Sequence, residues 1–507
     1  MRNCVPASWK TTDLDSVAVI TSGQSPPGST YNISGKGLPF FQGKAEFGET
    51  SPTPVKWCSE PLRIAYPGDV LMSVRAPVGP TNLADTTCCI GRGLAAITPL
   101  GDMPSKFYLY YLRFSVEALV RQATGTTFQA ISGKQLRAHE VLVPPLSEQH
   151  RIVEAIESYL SRLDDAVASL ERVQQNLKRY RTSVLKAAVE GRLVPIEAEL
   201  SKKEGRSYEP ASELLERILV ERRKKWIENA AEKARAKAEK KAREAGKPWT
   251  HADNIKTLEK ERAKAAKKYK EPAVPDTTDL PDLPEGWCWT TIQHFAEHRL
   301  GKMLDKAKND GKFSKYLRNA NVQWFNFDMS DIAQMRITDD EFANVSVVAG
   351  DLVVCEGGEP GRCSVWEGQE PIAIQKALHR VRVHPEVQPW FLAYHLGADT
   401  LSHRLDQEFT GTTIKHFTGE AFHAHAFAVP PANEQLRIVN AVRSGLSLVN
   451  HISTQVQNAT AGSSHLRQSI LKWAFEGKLV EQDPNDEPAS VLLERIKAEC
   501  SASRRYQ

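Results

Sequence analysis

The chain repeats itself at a fixed distance, and that repeat limits its possible folds more than any other feature. Thr124-Gly125-Thr126-Thr127 recurs 286 residues later as Thr410-Gly411-Thr412-Thr413. The same offset joins Val143-Pro144-Pro145 to Val429-Pro430-Pro431, Glu148-Gln149 to Glu434-Gln435, and Arg151-Ile152-Val153 to Arg437-Ile438-Val439. It persists to Glu190-Gly191-Arg192-Leu193-Val194 against Glu476-Gly477-Lys478-Leu479-Val480. Some seventy residues without insertion mark a long element that must keep its register. Upstream the offset drifts, to 278 at Trp9/Trp287 and Gly23/Gly301, 282 at Gly68/Gly350, and 284 at Leu94/Leu378. Downstream, Glu209-Pro210-Ala211-Ser212 returns as Glu487 to Ser490. The order is therefore A–B–linker–A′–B′.

Block A, about 1–143, alternates short β-prone runs (Val17–Thr21, Asp69–Val74, Leu94–Thr98) with Gly and Pro clusters. An aromatic-rich helical stretch, Lys106 to Arg121, interrupts them, so a mixed α/β domain is expected. Block B opens on Pro-Pro, with Ser147 and Asn433 read as helix N-caps and an acidic residue behind each. Val153, Ile156, Leu160, Leu163, Val167 and Leu170 then follow in steps of three and four, the spacing of a coiled coil. The second copy keeps Val439, Val442, Leu446, Val449 and Val456, but Ser453, Thr460 and Ser463 weaken its middle. Gly191 and Gly477 close the helices, about 44 residues and ~65 Å long. Each stripe needs a partner, and the two copies offer each other one, paired antiparallel.

At 507 residues the chain exceeds one hydrophobic core, and two to four domains are expected. No apolar run has the length of a membrane span, and the start has no apolar leader, so a cytoplasmic protein is expected. Eight dispersed cysteines without a CxxC pair read as reduced thiols. The unrepeated stretch 221–271 holds 18 Lys and Arg against 9 Asp and Glu, leaving the rest net negative. It reads as solvated helix broken near Gly246-Lys247-Pro248, a charged linker with weak attraction to phosphate. Phosphate-binding loops, methyltransferase motifs and zinc signatures are missing. His294 and His298 lack the His-Glu-x-x-His frame, and His423 and His425 read as strand residues on one face. No active site and no metal site is expected.

A repeated β-rich block ending Val-Pro-Pro, then Glu-Gln-x-x-Ile-Val, then a long helix ending Glu-Gly-basic-Leu-Val, resembles the specificity subunit of type I restriction–modification systems. The resemblance implies an α+β chain with an internal two-fold pseudo-repeat. Target recognition domains at 1–143 and 284–429 would be joined by two long antiparallel coiled-coil helices, the conserved spacers 144–220 and 430–507. A basic linker would occupy 221–283. It implies that each A block reads half of a split site in double-stranded DNA. Two methyltransferase subunits would dock on the spacer, and motor–nuclease subunits would join them. S-adenosylmethionine, ATP and Mg2+ would be held by these partners, none by this chain, which is not itself an enzyme.

Reading DNA requires basic groups, hydroxyls and backbone amides at phosphates, and Arg, Lys, Asn or Gln at base edges. The candidates are Gly125, Thr126 and Thr127 with Lys134, and Gly411, Thr412 and Thr413 with Lys415. Arg75 and Arg92 lie in loops at strand ends, and Arg362 and Lys376 hold comparable places in the second copy. Different bases are expected where the copies diverge most, Gln24–Glu60 against Lys302–Asp340. A stand-alone DNA-modifying enzyme and a coiled-coil scaffold without DNA specificity are the rival readings.

Overall fold

One strand order occurs twice in the chain. The computed structural model describes residues 5–123, 130–305, 309–411 and 415–505. They form two units, 1–173 with 455–507, and 174–454, so each unit draws on both copies of the repeat. In the first unit, Ala18–Ser22, Leu94–Pro99, Val70–Ser73 and Thr81–Leu83 make an antiparallel sheet in that order. In the second, Ala296–Leu300, Leu378–Val383, Leu352–Cys355 and Cys363–Val365 do the same. Each domain is closed by its own ends, Lys10–Asp13 pairing with Glu140–Val143 and Cys288–Thr291 with Ala426–Val429.

The strands lie within a residue of those read from the sequence, and the central ones are short apolar runs buried at every position, Val70–Ser73 among them. The expected single helix at 106–121 is two, Ser105–Phe114 and Val116–Gln122, broken at Ser115, whose hydroxyl meets the buried His139 ring. The divergent segments contribute strands to a second sheet in each unit. They share one parallel pair, Phe40–Phe41 beside Cys89–Ile90 and Tyr316–Leu317 beside Ala373–Ile374. Around that pair the sheets differ, with five strands in the first unit and four in the second.

The long helices are Leu146–Val189 and Ala432–Phe475, 44 residues each. Ser147 and Asn433 are not their caps. The helices start a residue earlier, with the Pro145 and Pro431 carbonyls accepting from Gln149 and Gln435. The Gln149 and Gln435 side chains reach back and donate to the Pro144 and Pro430 carbonyls, tying the first turn to the chain before it. Gly191 and Gly477 do close the helices, at φ 67° and 69°, a left-handed turn that favours glycine.

In the first unit Ile152 and Ile156 share a core with Phe107, Tyr108, Ile470, Ala474 and Phe475. In the second, Val184, Leu185 and Ala188 share one with Phe295, Phe391, Ile438, Val442 and Leu446. The beginning of one long helix thus packs with the end of the other in each unit, and Asp164 pairs with Arg467 in the first. Of the expected seam, Val153, Ile156, Val439, Val442, Leu446, Val449 and Val456 are buried. Leu160, Leu163, Val167 and Leu170 are only half-buried, as are Ser453, Thr460 and Ser463. Both helices thin where no sheet lies against them, not the second alone.

The basic stretch is not a solvated linker. Ala211–Glu244 and His251–Lys268 form a helical hairpin within the second unit, turning at Gly246, where the break was expected. Buried Ala231 and Ala265, Glu228–Arg262 at 2.9 Å and the Trp226–Tyr269 ring pair hold its arms together. Alanine lets the helices approach closely, a packing that the count of lysines conceals.

Two indoles fasten the domains to the helices. Trp9 Nε1 donates to Glu148 at 3.0 Å and Trp287 Nε1 to Glu434 at 2.8 Å, with both carboxylates buried. Burial pushes both carboxyls up, and these bonds pull them back. A Trp287→Phe substitution removes the donor and leaves a buried acceptor unmet, a loss of about 2 kcal/mol. Urea unfolding followed in the second unit should show it as a lower midpoint with unchanged slope. A midpoint equal to wild type contradicts the clamp.

Candidate nucleic-acid interface

At one end of the first four-stranded sheet, backbone hydrogen bonds gather three loops. Val74 N–H donates to the Gly93 carbonyl at 2.9 Å, joining the Arg75 loop to the Arg92 loop. Ile131 N–H donates to the Val74 carbonyl at 2.9 Å, drawing in the segment that follows Thr124–Thr127. Gly23 lies so close to the Gly91 and Leu94 carbonyls that any Cβ would collide with them. Ser132 caps the short helix Gly133–Arg137, which carries Lys134. Arg75, Arg92 and Lys134 are all exposed.

The second unit makes the same bonds at the matching residues. Glu356 N–H donates to the Ala377 carbonyl at 2.9 Å, and Phe417 N–H to the Glu356 carbonyl at 2.7 Å. Gly301 crowds the Ile374 and Gln375 carbonyls as Gly23 crowds its own. A bridge between Thr410 and His416 closes the turn bearing Gly411 and Lys415. Lys376 is exposed beside it, and Lys415 lies 5.8 Å from the Phe409 ring.

The structure therefore brings Arg75, Arg92 and Lys134 together in one unit, and Gly411, Lys376 and Lys415 in the other. Gly125, Thr126, Thr127, Thr412 and Thr413 lie outside the described residues. Arg362 stands apart from this group. It pairs with Glu359 at 2.9 Å and donates to the Asn319 carbonyl, so its guanidinium braces a loop. It was read as holding a place comparable to that of Arg75 or Arg92, but at the local offset of 282 the partner of Arg75 is Gly357. Lys302, paired with Glu341 at 2.6 Å, was not among the sequence candidates. Its position directly after the repeated Gly301 is the signal that marks it.

The second unit also buries two histidine networks that no motif announced. His423 and His425 are not strand residues, since helix Gly419–Ala424 holds the first and is capped by the second. The Phe417 carbonyl can only accept, so His379 Nε2 donates to it at 2.8 Å. His379 Nδ1 then accepts from His298 Nε2 at 2.7 Å, and His298 Nδ1 from His423 Nε2 at 2.9 Å. His379 and His298, each donating from Nε2 and accepting at Nδ1, must both be neutral, while His423 need only keep its Nε2 proton. The other network joins His395, Asp399 and His425, a set compact enough for a metal ion. Its ring nitrogens are committed elsewhere: His395 contacts Asp399 and the Ala428 amide, and His425 contacts Asp399 and Glu408. Both acceptors facing His425 are carboxylates, so the ring is an imidazolium in a closed ionic cluster with Arg404. It offers no lone pair to a metal.

Among known proteins, residues 6–179 match the family model of the type I restriction modification DNA specificity domain. The type I restriction enzyme EcoBI specificity subunit of Escherichia coli is 24% identical over 98% of this chain and 93% of its own length. The putative type I restriction enzyme MjaX specificity subunit of Methanocaldococcus jannaschii is 35% identical, over 37% of this chain. That alignment spans 44% of the M. jannaschii protein. A chain solved in work on complex assembly and conformational transition of the type I R-M system shares the fold. It has a TM-score of 0.61 and 16% identity, over 94% of this chain and all of that one. The described chain is two mixed α/β domains on long helices, each with a set of loops that carries exposed basic residues. The chain is similar to type I restriction enzyme specificity subunits along nearly its whole length.

Burial pulls His298 down to about 3 and His379 to about 4, from an ordinary value of 6.5. Between those values the unfolded chain binds protons that the folded chain refuses, so the stability from this network is full near neutrality and lost as pH falls. His425 has the opposite sign: burial lowers it, but Asp399 and Glu408 outweigh that and hold it raised, so its contribution fades as pH rises. Thermal unfolding of His298→Ile, which copies Ile20 of the first domain, should depend less on pH than wild type between about 6.5 and 4. Parallel curves contradict the neutral chain.

Proposed function

We propose that this chain chooses the DNA sequence for a type I restriction–modification complex by reading a split duplex site, one half with each A block. The observation that carries this is the pair of hydrogen bonds repeated at Val74/Ile131 and Glu356/Phe417. They hold the same three loops, with exposed basic residues, at the same end of two like sheets. Lysines there suit phosphate contacts, and Arg75 and Arg92 suit phosphate or the edge of guanine. The divergent segments, Gln24–Glu60 and Lys302–Asp340, lie next to these loops in sequence and supply the difference between half-sites.

In this reading the long helices form an antiparallel coiled coil about a pseudo-two-fold axis and set the gap between the half-sites. The sharing of each core by opposite helix ends supports it. The helices also offer docking surface to two methyltransferase subunits, with motor–nuclease subunits joining that core. S-adenosylmethionine, ATP and Mg2+ belong to these partners, in the cytoplasm with the DNA. None of the helices is long and apolar enough to cross a membrane among the described residues.

Mapping methylated adenines across the genome tests the assignment. Removing the gene should erase one split motif, and purified chain alone should neither cut nor methylate. Replacing residues from about 10 to 143 with the corresponding block of a relative should rewrite one half-site and keep the gap. A block swap that rewrote both half-sites contradicts independent reading.

A further inference from the structure

We propose that the hairpin at 221–271 is a second, sequence-independent contact for the phosphates of duplex DNA, outside the recognition loops. The proposal rests on the DNA-reading role above.

The hairpin is an addition to a helix that both copies share. Leu214 and Ile218 seat the start of Ala211–Glu244 in the second core, as Leu492 and Ile496 seat Ala489–Arg505 in the first. Beyond those seated turns Ala211–Glu244 runs on for several more turns, and the chain folds back as His251–Lys268. The core explains the shared part and leaves the extension without a role in folding.

Its charges are unevenly committed. Glu228, Glu232, Glu239, Glu244, Glu261 and Glu271 all pair with basic residues of the hairpin itself. Asp253 accepts from Thr250 and closes the turn. By contrast Lys233, Lys237 and Lys241 on one arm, and Lys256, Lys260 and Lys267 on the other, are exposed and make no ion pair among the described residues. Steps of four, and of seven from Lys260 to Lys267, put each set along one helix face, with rises of about 6 Å and ~10 Å. A fold that needed these lysines only for solubility has no reason to use up nearly all its acids and leave two aligned rows of cations.

The surface fits phosphate better than a protein partner. Beyond Trp226 the hairpin exposes one large apolar residue, Ile255. Protein interfaces are depleted in lysine and enriched in aromatic residues, whereas phosphate contacts are built from lysine and arginine. The contact is also separate from base reading. The hairpin roots beside His384, where Glu221 meets the ring at 3.2 Å, just past the Val383 end of strand Leu378–Val383. Lys376 precedes the other end of that strand. The hairpin therefore adds affinity and salt dependence without adding sequence preference.

The test uses the full chain with Lys233, Lys237, Lys241, Lys256, Lys260 and Lys267 all changed to Gln, and a control with the same six changed to Arg. Binding to a duplex of arbitrary sequence is measured across a potassium chloride series, with helix content checked by circular dichroism. The Gln variant should bind at least tenfold more weakly at low salt. Its slope of log affinity against log salt should fall by two units or more, since each lost phosphate contact removes about 0.9. The Arg variant should match wild type, and the bases read in each half-site should be unchanged in both. A Gln variant with native helix content and the wild-type slope overturns the proposal, as does one that keeps the slope but loses assembly with a partner protein. Wild-type chain that binds no duplex at all would bring down the DNA-reading role and this proposal together.

Discussion

Two indole N–H groups held by two buried carboxylates fix most of what this chain does. Trp9 and Trp287 stand where each domain begins, and Glu148 and Glu434 stand in the first turn of each long helix. Because the acceptors are buried, the alternative to pairing is an unsatisfied carboxylate, so the angle between sheet and helix is tightly specified. The glycine ending the opposite helix completes the joint, with Gly477 against Pro6 and Gly191 against Pro284. A side chain at either glycine would force the helix end away from its tryptophan. The uninterrupted offset of 286 follows from this, since a one-residue insertion would rotate every clamp residue off its partner.

The copies are not equal in how fully they satisfy this joint. Gln435 Oε1 accepts from the Gln388 amide at 2.8 Å, at the start of helix Pro389–Leu401. In the first copy the matching residue is Pro104, which has no N–H, and Gln149 Oε1 has no partner among the described residues. The second domain also replaces Ile20, Ala95 and Arg137 with His298, His379 and His423, substituting a polar network for aliphatic packing. Divergence reaches the lining of each domain and one contact at the joint, but the tryptophan–glutamate bond is kept in both copies. That pattern suits domains that must differ in what they read and agree in how they are held.

Much of this was legible before any coordinates. Repeat offsets located both long helices and their closing glycines, because a left-handed turn favours one residue type. Strands emerged as short β-prone runs bounded by Gly and Pro clusters. The hairpin escaped notice because its interface is alanine, which neither hydropathy nor charge distinguishes from a solvated helix. Histidine networks escaped because their members, such as His298 and His423, are 125 residues apart and follow no metal-binding frame. Arg362 was misread because spacing alone cannot tell a guanidinium facing solvent from one that braces Asn319 and Glu359. Glu148 was read as a helix-dipole carboxylate, whereas its acceptor role depends on a tryptophan 139 residues away.

The central claim is that the helices set the distance between two independent readers. The most direct measurement inserts four residues, about one turn, into both long helices, after Val173 and after Thr454, and maps adenine methylation by the assembled complex. Four residues add ~6 Å, close to the rise of two base pairs. The account predicts that the bases of both half-sites stay the same while the gap between them grows by one or two pairs. Altered half-site bases with an unchanged gap would contradict it.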